Sequence, residues 1–304
     1  MIERTPILNI ITHLILFLGL LIMGLPLYIC LVAATLPIEA IVDAPMTLMP
    51  GTQLLRNASV AWERGDFARQ GLNTLVMALS IVGGKLVLAT LTAFALCYFR
   101  FAFRLMSFWL IFITLMLPLE VRIVPTYEVA ANALLPLQRI LDVTHLTDVI
   151  TFVAGVRVRL HWNLLDSYWG LTLPLFATAT ATFLFRQFFL TVPEVITEAA
   201  KMDGASPMRF FVDMLLPLSK PNIAALFVIM FVYGWNQYLW PLLITTDPGM
   251  RTVVMGLEHL MPQPDAPPEW NIAMAGALMV MLPPVAVVLL MQRWFVKGLL
   301  RSDI

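Results

Sequence analysis

The chain has 304 residues, of which 60% are hydrophobic and only 12% charged, about half the charged fraction of a typical soluble domain. Its 19 Lys and Arg are balanced by 19 Asp and Glu, so no basic excess is available to bind a nucleic-acid backbone. So little charge cannot cover the surface of a water-soluble globule of this size, and the composition predicts an all-α integral membrane protein.

Six stretches are apolar enough to cross a membrane, which requires about 20 residues of helix. The first has no charged residue between Arg4 and Glu39, and it is too long for the apolar core of a signal peptide, which predicts a retained helix. The second carries one charge, Lys85, and the third continues past Glu120 and Arg122. We predict spans at about 10–34, 72–98, 105–127, 167–190, 221–245 and 271–294.

The orientation of the chain follows from the basic residues near the ends of the spans. With the N-terminus inside, ten Lys and Arg lie in the inner segments and eight in the outer ones, while 13 of the 19 acidic residues lie outside. The inner segments are also much shorter than the outer ones. We therefore predict that both termini face the cytoplasm.

Three outer segments connect the spans. Residues 37–70 are charged and contain proline, and residues 247–269 are rich in proline, which predicts irregular structure there. Between them, an apolar run from Val149 to Val156 is too short to cross the membrane. The alternation of valine and arginine that follows, over 156–160, predicts a surface strand or hairpin.

One inner segment, 193–221, has the features of a short helix–turn–helix. Pro193 can begin a helix whose first turn is acidic, where the helix dipole favours negative charge. An Asp-Gly pair ending at Gly204 predicts a helix stop, and Ser206 followed by Pro207 predicts an N-cap and a new helix start. The apolar residues of the second helix share one face, and they are Phe210, Phe211, Met214 and Leu215. Such an element is typical of a docking site for a cytoplasmic partner.

The same segment resembles the EAA loop of permease subunits of binding-protein-dependent ABC importers. The resemblance is carried by residues at fixed spacing between the fourth and fifth spans, namely Glu198, Ala199, Ala200, Asp203, Gly204, Ala205, Phe211 and Pro217. More of the chain is similar to the carbohydrate-uptake, maltose-type permeases. Within these, 177–189, 204–211 and 233–241 are most similar to the second permease subunit of sn-glycerol-3-phosphate importers. Residues at about 135–164 depart from that pattern and are predicted to be an extra periplasmic insertion.

The resemblance implies a type I ABC importer permease in the bacterial inner membrane. Its implied partners are a sister permease, two cytoplasmic ATPase subunits and a periplasmic substrate-binding protein. In such importers the EAA helix sits in a cleft of an ATPase and transmits ATPase closure into alternating access. By this resemblance Glu198 would contact the ATPase, Gly204 would form the tight turn and Asp203 would brace it. The other coupling residues would be Ala199, Ala200, Ala205 and Phe211.

The chain contains no phosphate-binding loop of its own. Gly83, Gly84 and Lys85 are similar to the end of such a loop, but Leu86 follows them and the segment is a membrane span, where backbone amides are used within the helix. We therefore expect no catalytic residue and no cofactor in this chain, with ATP and Mg²⁺ bound by the partner ATPases. Two cysteines and four scattered histidines give no metal-ligand spacing.

Polar residues at membrane depth are the candidates for the translocation pathway. Lys85 lies near the middle of the second span, where a charge costs at least about 2.5 kcal/mol. It either faces an anionic substrate or pairs with a neighbouring helix and only stabilises packing. In the fifth span Tyr233, Asn236, Gln237 and Trp240 have the spacing of one helical face, which either lines the pathway or forms interhelical hydrogen bonds.

Two further groups of polar residues receive structural interpretations. Thr178, Thr180 and Thr182 alternate with alanine in the fourth span, a pattern that favours close helix packing. Glu120 and Arg122 lie at the outer end of the third span, and we assign them to interfacial or gate contacts.

The resemblance implies a permease subunit that moves sn-glycerol 3-phosphate, or glycerophosphodiesters, into the cytoplasm, and a positive charge at Lys85 would suit such a substrate. A neutral sugar, oligosaccharide or polyol is the alternative substrate. An ion-coupled secondary transporter would need a mid-membrane carboxylate and an internal repeat, and the sequence shows neither. A membrane scaffold would need neither the lysine in the second span nor the polar face of the fifth.

Overall fold

The structure is a computed structural model of the chain, and it describes residues 6–42, 45–114, 119–155, 159–177, 179–262 and 268–300. Within these ranges all regular secondary structure is helical. A membrane-crossing segment must satisfy its backbone N–H and C=O groups internally, and a helix does this without a partner segment.

The first half of the described chain contains eight α-helices, four of which are longer than ten residues. In order they are α1 (Pro6–Thr35), α2 (Glu39–Val42), α3 (Leu54–Arg64), α4 (Phe67–Tyr98), α5 (Arg104–Ile113), α6 (Leu119–Ala131), α7 (Leu135–Val143) and α8 (Leu146–Ala154).

The second half of the described chain contains nine more α-helices, many of them short. In order they are α9 (Tyr168–Thr172), α10 (Ala179–Thr191), α11 (Glu194–Met202), α12 (Pro207–Phe210), α13 (Leu216–Leu218), α14 (Lys220–Trp235), α15 (Leu239–Ile244), α16 (Val253–Leu260) and α17 (Trp270–Leu300). Two 3₁₀ turns, Leu173–Leu175 and Pro248–Met250, and a π-helical turn, Phe211–Leu215, lie between them.

Helices α1, α4 and α17 are each long and apolar enough to cross a membrane, and they cover the first, second and sixth predicted spans. Two bent helix pairs raise the number of possible spans among the described residues to five. The third predicted span is described as α5 and α6, on either side of residues 115–118, which lie outside the described residues. The fourth consists of α9, a 3₁₀ turn and α10.

The fifth predicted span, 221–245, is not one continuous helix. Helix α14 ends at Trp235, and the chain resumes helical structure only at Leu239. The break falls at Asn236, Gln237 and Tyr238, and asparagine is a residue that competes with the backbone for hydrogen bonds and favours helix ends.

The outer segments are more helical than the sequence predicts. The apolar run that begins at Val149 belongs to α8, which Gly155 ends in the left-handed conformation with φ 67°. Residues 156–158 lie outside the described residues, and Arg159 and Leu160 have no regular structure, so the predicted strand is wrong in its described part. Short apolar runs are compatible with either period, and here the helix is favoured. Helix α16 likewise replaces the irregular structure predicted within 247–269.

The chain divides into two compact units, 1–70 with 253–283 and 71–252 with 284–304. In the first unit the buried side chain of Asn57 hydrogen-bonds to carbonyl groups at the C-terminal end of α1. Its Nδ2 donates to the carbonyls of Ala34 and Leu36 at 2.9 and 3.0 Å, groups that a helix end leaves without intrahelical partners. Asn271 of α17 donates to Asn57 Oδ1 at 3.0 Å, so one buried amide ties three segments together.

The core of the second unit lies where α4, α6, α9 and α15 meet. It consists of Met77, Ile81, Ala130, Leu171, Leu175, Trp240 and Ile244. Beside it α4 and α14 cross closely, since a Cβ added at Gly234 would lie 3.0 Å from the Cα of Ala78. Small residues at a crossing are what allow helices in a membrane to approach each other.

A surface carboxylate joins two loops of the second unit. Asp166 accepts hydrogen bonds from the backbone N–H and the hydroxyl of Thr246, both at 2.6 Å, and from the N–H of Asp247 at 2.8 Å. The hydrogen bonds from the Asp247 amide and the Thr246 hydroxyl favour the ionised carboxylate, and they lower the pKa of Asp166.

Candidate translocation cavity and coupling segment

Lys85 is buried near the middle of α4, with 5% of its surface exposed. Its Nζ lies 4.0 Å from the centre of the Tyr233 ring of α14, a cation–π contact. Lys85 forms no ion pair with any carboxylate whose side chain the structure describes. A buried charge without a carboxylate partner is costly, so a structural role for Lys85 is poorly satisfied within the described residues.

Lys85 lines a cavity of about 690 Å³ in the second unit. Apolar side chains such as Leu88, Leu110 and Met230 form much of its wall. The polar residues on the wall are two cations and five hydroxyls, and they are Lys85, Arg122, Thr92, Thr114, Thr180, Thr182 and Tyr233. None of the described residues on the wall is acidic. A largely apolar cavity with a few convergent polar groups is the usual form of a small-molecule site.

The structure separates the polar residues that were predicted to share one face of the fifth span. Tyr233 lines the cavity, whereas Asn236 is exposed at the end of α14. Gln237 is buried, and its Nε2 donates to the carbonyl of Tyr233 at 3.1 Å. Trp240 belongs to the core, and its Nε1 donates to the carbonyl of Gly170 at 3.1 Å. The i to i+7 spacing implies one face only in a continuous helix, and α14 ends at Trp235.

The cavity also includes residues for which the sequence predicts other roles. Arg122, assigned from the sequence to interfacial or gate contacts, lies on the same wall as Lys85. Thr180 and Thr182, assigned to helix packing, line the cavity as well, and Thr178 lies outside the described residues. The sequence signal that could have identified Arg122 as a cavity residue is its position inside an apolar stretch. Its proximity to Lys85 is not visible in the sequence, because the two residues are far apart along the chain.

The predicted coupling segment forms a helix, a tight turn and a second short helix. Helix α11 ends in a Schellman motif, in which the N–H of Ala205 donates to the carbonyl of Ala200 at 2.9 Å and the N–H of Gly204 to that of Lys201 at 3.1 Å. Gly204 has φ 71°, the left-handed conformation that favours glycine. The glycine turn predicted from the sequence is confirmed, and Asp203 is the residue that precedes it as the helix cap.

The start of the second helix also follows its sequence prediction. The hydroxyl of Ser206 accepts a hydrogen bond from the N–H of Arg209 at 3.3 Å, and Pro207 is the first helical residue. At the first helix Pro193 is the N-cap, one residue before the predicted start.

Helix α11 exposes one face and buries the other. Val195, Glu198 and Met202 are spaced at i, i+3 and i+7 and are all exposed, with Met202 at 83%. Ala200 is buried on the other side, and Ala199 is half-buried. An exposed face that combines a carboxylate with large apolar side chains has the composition of a protein contact surface.

An aromatic cluster joins the coupling segment to the helices. Phe211 lies 4.8 Å from the ring centre of Phe94, and Phe210 lies 5.3 Å from that of Tyr98. Tyr98 in turn contacts Phe189 of α10 at 6.2 Å. The coupling segment is therefore packed against the end of α4, which in turn contacts the end of α10, and both of these helices supply residues to the cavity wall.

Within its described residues the chain is all-helical, with a cation-lined cavity among its apolar helices and a helix–turn–helix packed on one of them, and this is the organisation of a membrane transport permease. The chain belongs to the family of binding-protein-dependent transport system inner membrane components, whose sequence pattern matches residues 85–301.

Its relatives include the sn-glycerol-3-phosphate transport system permease protein UgpE of Yersinia pestis and that of Escherichia coli (strain K12). Each is 50% identical to this chain, and each alignment covers 100% of both chains. Among solved structures, a chain of a bacterial ABC transporter involved in the import of the acidic polysaccharide alginate has a similar fold. The TM-score is 0.75 at 16% identity, over 96% of this chain and 98% of that one.

Proposed function

We propose that this chain is the permease subunit of an ABC importer that carries sn-glycerol 3-phosphate, or glycerophosphodiesters, into the cytoplasm. The observation that carries the proposal is the 50% identity, over the full length of both chains, to proteins named as sn-glycerol-3-phosphate permeases. The cavity supports it, because its charged wall residues, Lys85 and Arg122, are both cations. A neutral sugar would offer nothing to offset them.

The proposed topology has six spans in the bacterial inner membrane, with both termini in the cytoplasm. Helices α1, α4 and α17 form three of the spans, α5 with α6 a fourth, α9 with α10 a fifth, and α14 with α15 a sixth. Broken helices are compatible with a transporter, since irregular backbone is tolerated where it is buried in protein or lines a polar cavity.

The proposed partners are a sister permease, two ATPase subunits that bind ATP and Mg²⁺, and a periplasmic binding protein. The exposed face of α11 docks onto an ATPase, with Glu198 as the polar contact and Val195 and Met202 as the apolar ones. Its exposure in the isolated chain supports this assignment. ATP hydrolysis then belongs to the partners, and this chain supplies part of the pathway.

The proposed coupling runs from α11 through the Schellman turn at Gly204 to the aromatic cluster. Closure of the ATPases moves α11, and the contacts of Phe210 and Phe211 with Phe94 and Tyr98 transmit the movement to α4. Lys85 lies on the same helix, so the movement reaches the cavity wall. Packed aromatic side chains can transmit such a movement because a close-packed interior resists compression.

The complex of both permeases and both ATPases, reconstituted into vesicles with its binding protein, tests the substrate. We expect ATP-dependent uptake of radiolabelled sn-glycerol 3-phosphate that unlabelled sn-glycerol 3-phosphate suppresses and glycerol or maltose does not. Uptake of a neutral sugar or polyol in place of the phosphate ester would overturn the proposed substrate.

A further inference from the structure

Lys85 and Arg122 bring two positive charges to one cavity without a described acid to balance them. They come from different helices, α4 and α6, and both line the cavity of about 690 Å³. Neither forms an ion pair with a carboxylate whose side chain the structure describes. Like charges in a partly desolvated cavity repel, and a bound anion relieves that repulsion.

Lys85 and Arg122 lie in different surroundings, and each can therefore contribute differently to binding an anion. Lys85 is nine-tenths buried or more, and the Tyr233 ring covers one side of its ammonium group at 4.0 Å. Its ammonium group is a compact point charge at the cavity wall. Arg122 is exposed, and its guanidinium can offer two parallel N–H donors to two oxygens of one anion.

The charge of a phosphate group depends on its ester state. A phosphate monoester carries about −1.5 to −2 charges at pH 7 and has three terminal oxygens. A phosphodiester has two terminal oxygens and a single negative charge. Two cations without a balancing acid among the described side chains therefore match a monoester better than a diester, in both charge and number of acceptors.

We propose that Lys85 and Arg122 together form the phosphate-monoester site of the pathway, and that Arg122 makes the site prefer a monoester to a diester. This inference rests on the proposed function and refines it, because it names the part of the substrate that this chain binds. It adds Arg122 to Lys85 as a specificity-determining residue.

Turnover in reconstituted vesicles tests the site, with the binding protein saturated so that capture does not limit the rate. The two probes are sn-glycerol 3-phosphate and sn-glycero-3-phosphoethanol, a diester without a second charged group. We expect Arg122→Gln to lower turnover of the monoester about tenfold or more, the effect of losing one charge-assisted hydrogen bond. Turnover of the diester falls by a smaller factor.

Three further variants separate the site from general effects. Arg122→Lys keeps the positive charge but loses the parallel pair of donors, and it is expected to recover only part of the monoester turnover that Arg122→Gln loses. Lys85→Met lowers turnover of both probes, because either phosphate needs the central charge. Arg56→Gln removes a positive charge from the exposed surface of α3 and leaves both turnovers unchanged. Membrane content and copurification of the ATPases are measured for each variant, and turnover is expressed per assembled complex.

The possible outcomes test the phosphate-monoester site and the proposed import function separately. Unchanged or faster monoester turnover in Arg122→Gln removes Arg122 from the site, while the proposed function stands. An equal loss for both probes overturns the preference for the monoester. Absence of sn-glycerol 3-phosphate uptake by the unmodified complex overturns the proposed function itself.

Discussion

Two glycines show how the same backbone conformation can serve different purposes. Gly155 and Gly204 have φ 67° and 71°, and each ends a helix. A Cβ added at either would meet no atom within 4 Å, so a side chain there costs backbone strain and no clash. For a residue with a Cβ, the left-handed conformation costs roughly 1–2 kcal/mol. The two positions differ in function: Gly204 ends α11, the helix proposed to dock onto the ATPase, whereas Gly155 ends α8, which has no proposed part in coupling.

Gly204→Val should uncouple the permease, because strain at the Schellman turn redirects α11, the helix proposed to dock onto the ATPase. We expect uptake to fall about fivefold to thirtyfold, in line with the strain energy. The matched control is Gly155→Val, which introduces the same strain at the end of α8 and is expected to keep normal uptake. Equal loss of uptake in both variants would point to general misfolding and against a specific role of the turn.

Gly84 and Gly83 offer a second matched pair beside Lys85. A Cβ at Gly84 would lie 2.4 Å from the ring of Phe176, whereas a Cβ at Gly83 would meet nothing within 4 Å. Gly84→Ala should therefore force α4 away from Phe176 and destabilise the purified complex by about 1–3 kcal/mol, the usual effect of overpacking. Gly83→Ala should leave the thermal midpoint unchanged. A lower midpoint in the Gly83 variant alone would contradict the packing described.

The hydrogen-bonded carboxylate of Asp166 makes the stability of the folded protein depend on pH. Because its hydrogen bonds lower its pKa in the folded state, its contribution is present above the ordinary aspartate pKa and is lost as pH falls through the lowered value. Asp166→Asn should lower the thermal midpoint at pH 7 and reduce its acid dependence below about pH 4. Parallel pH profiles for the two proteins would show that the Asp166 loop contact adds no stability.

At the scale of elements, the coupling segment combines local and long-range determinants. Its caps follow from sequence, since Ser206 and Gly204 each satisfy helix ends through their own neighbours. Its position does not, because the packing of Phe211 against Phe94 joins residues far apart in the chain. The exposed face that remains is the part proposed to meet the ATPase.

Glu198→Lys should weaken that contact without affecting insertion. Reversing one charge in the centre of an interface places like charges together or leaves a partner unpaired, which typically lowers affinity at least about tenfold. We expect less ATPase to copurify and uptake to fall in proportion. Glu63→Lys, a charge reversal on an exposed site of α3, is the control and should copurify normally. Normal copurification and uptake by the Glu198 variant would remove it from the contact.

At the scale of the whole molecule, residues 135–164, of which 135–155 and 159–164 are described, form an excursion between α6 and α9. Helices α7 and α8 pack against each other, and the two ends of the excursion meet at a backbone hydrogen bond of 2.8 Å from Ala133 N–H to the carbonyl of Trp162. The Asn132 side chain accepts from the N–H of Trp162 and donates to the carbonyl of Leu160. A loop closed at its base can be shortened with little change in the remainder.

Replacing residues 134–161 with Gly-Gly should therefore preserve membrane assembly and ATPase binding. The two glycines bridge a gap that a single hydrogen bond already spans, so the remaining chain keeps its course. Membrane content and copurification measure the outcome, and uptake with the binding protein present reports whether the excursion has a role outside the membrane. Loss of the permease from the membrane would show that α7 and α8 are integral to the fold.

The candidate site could be predicted only in part, and the reason differs between residues. Lys85 and Tyr233 were predicted for the pathway, and both line the cavity. Trp240 was predicted on a periodicity that needs an unbroken helix, and the break after Trp235 places it in the core. Arg122 was assigned elsewhere, because nothing local indicates that α6 brings it to the wall that α4 provides.

The features that depend on near neighbours along the chain can be predicted from the sequence. These are the apolar helices, which follow from composition, and the turn and caps of the coupling segment, which follow from glycine, serine and proline satisfying adjacent backbone groups. Which polar side chains share a cavity, and which are buried, depends on the tertiary structure. That choice depends on how helices cross, and crossings are set by side-chain packing between segments distant in sequence, as at Gly234 against Ala78.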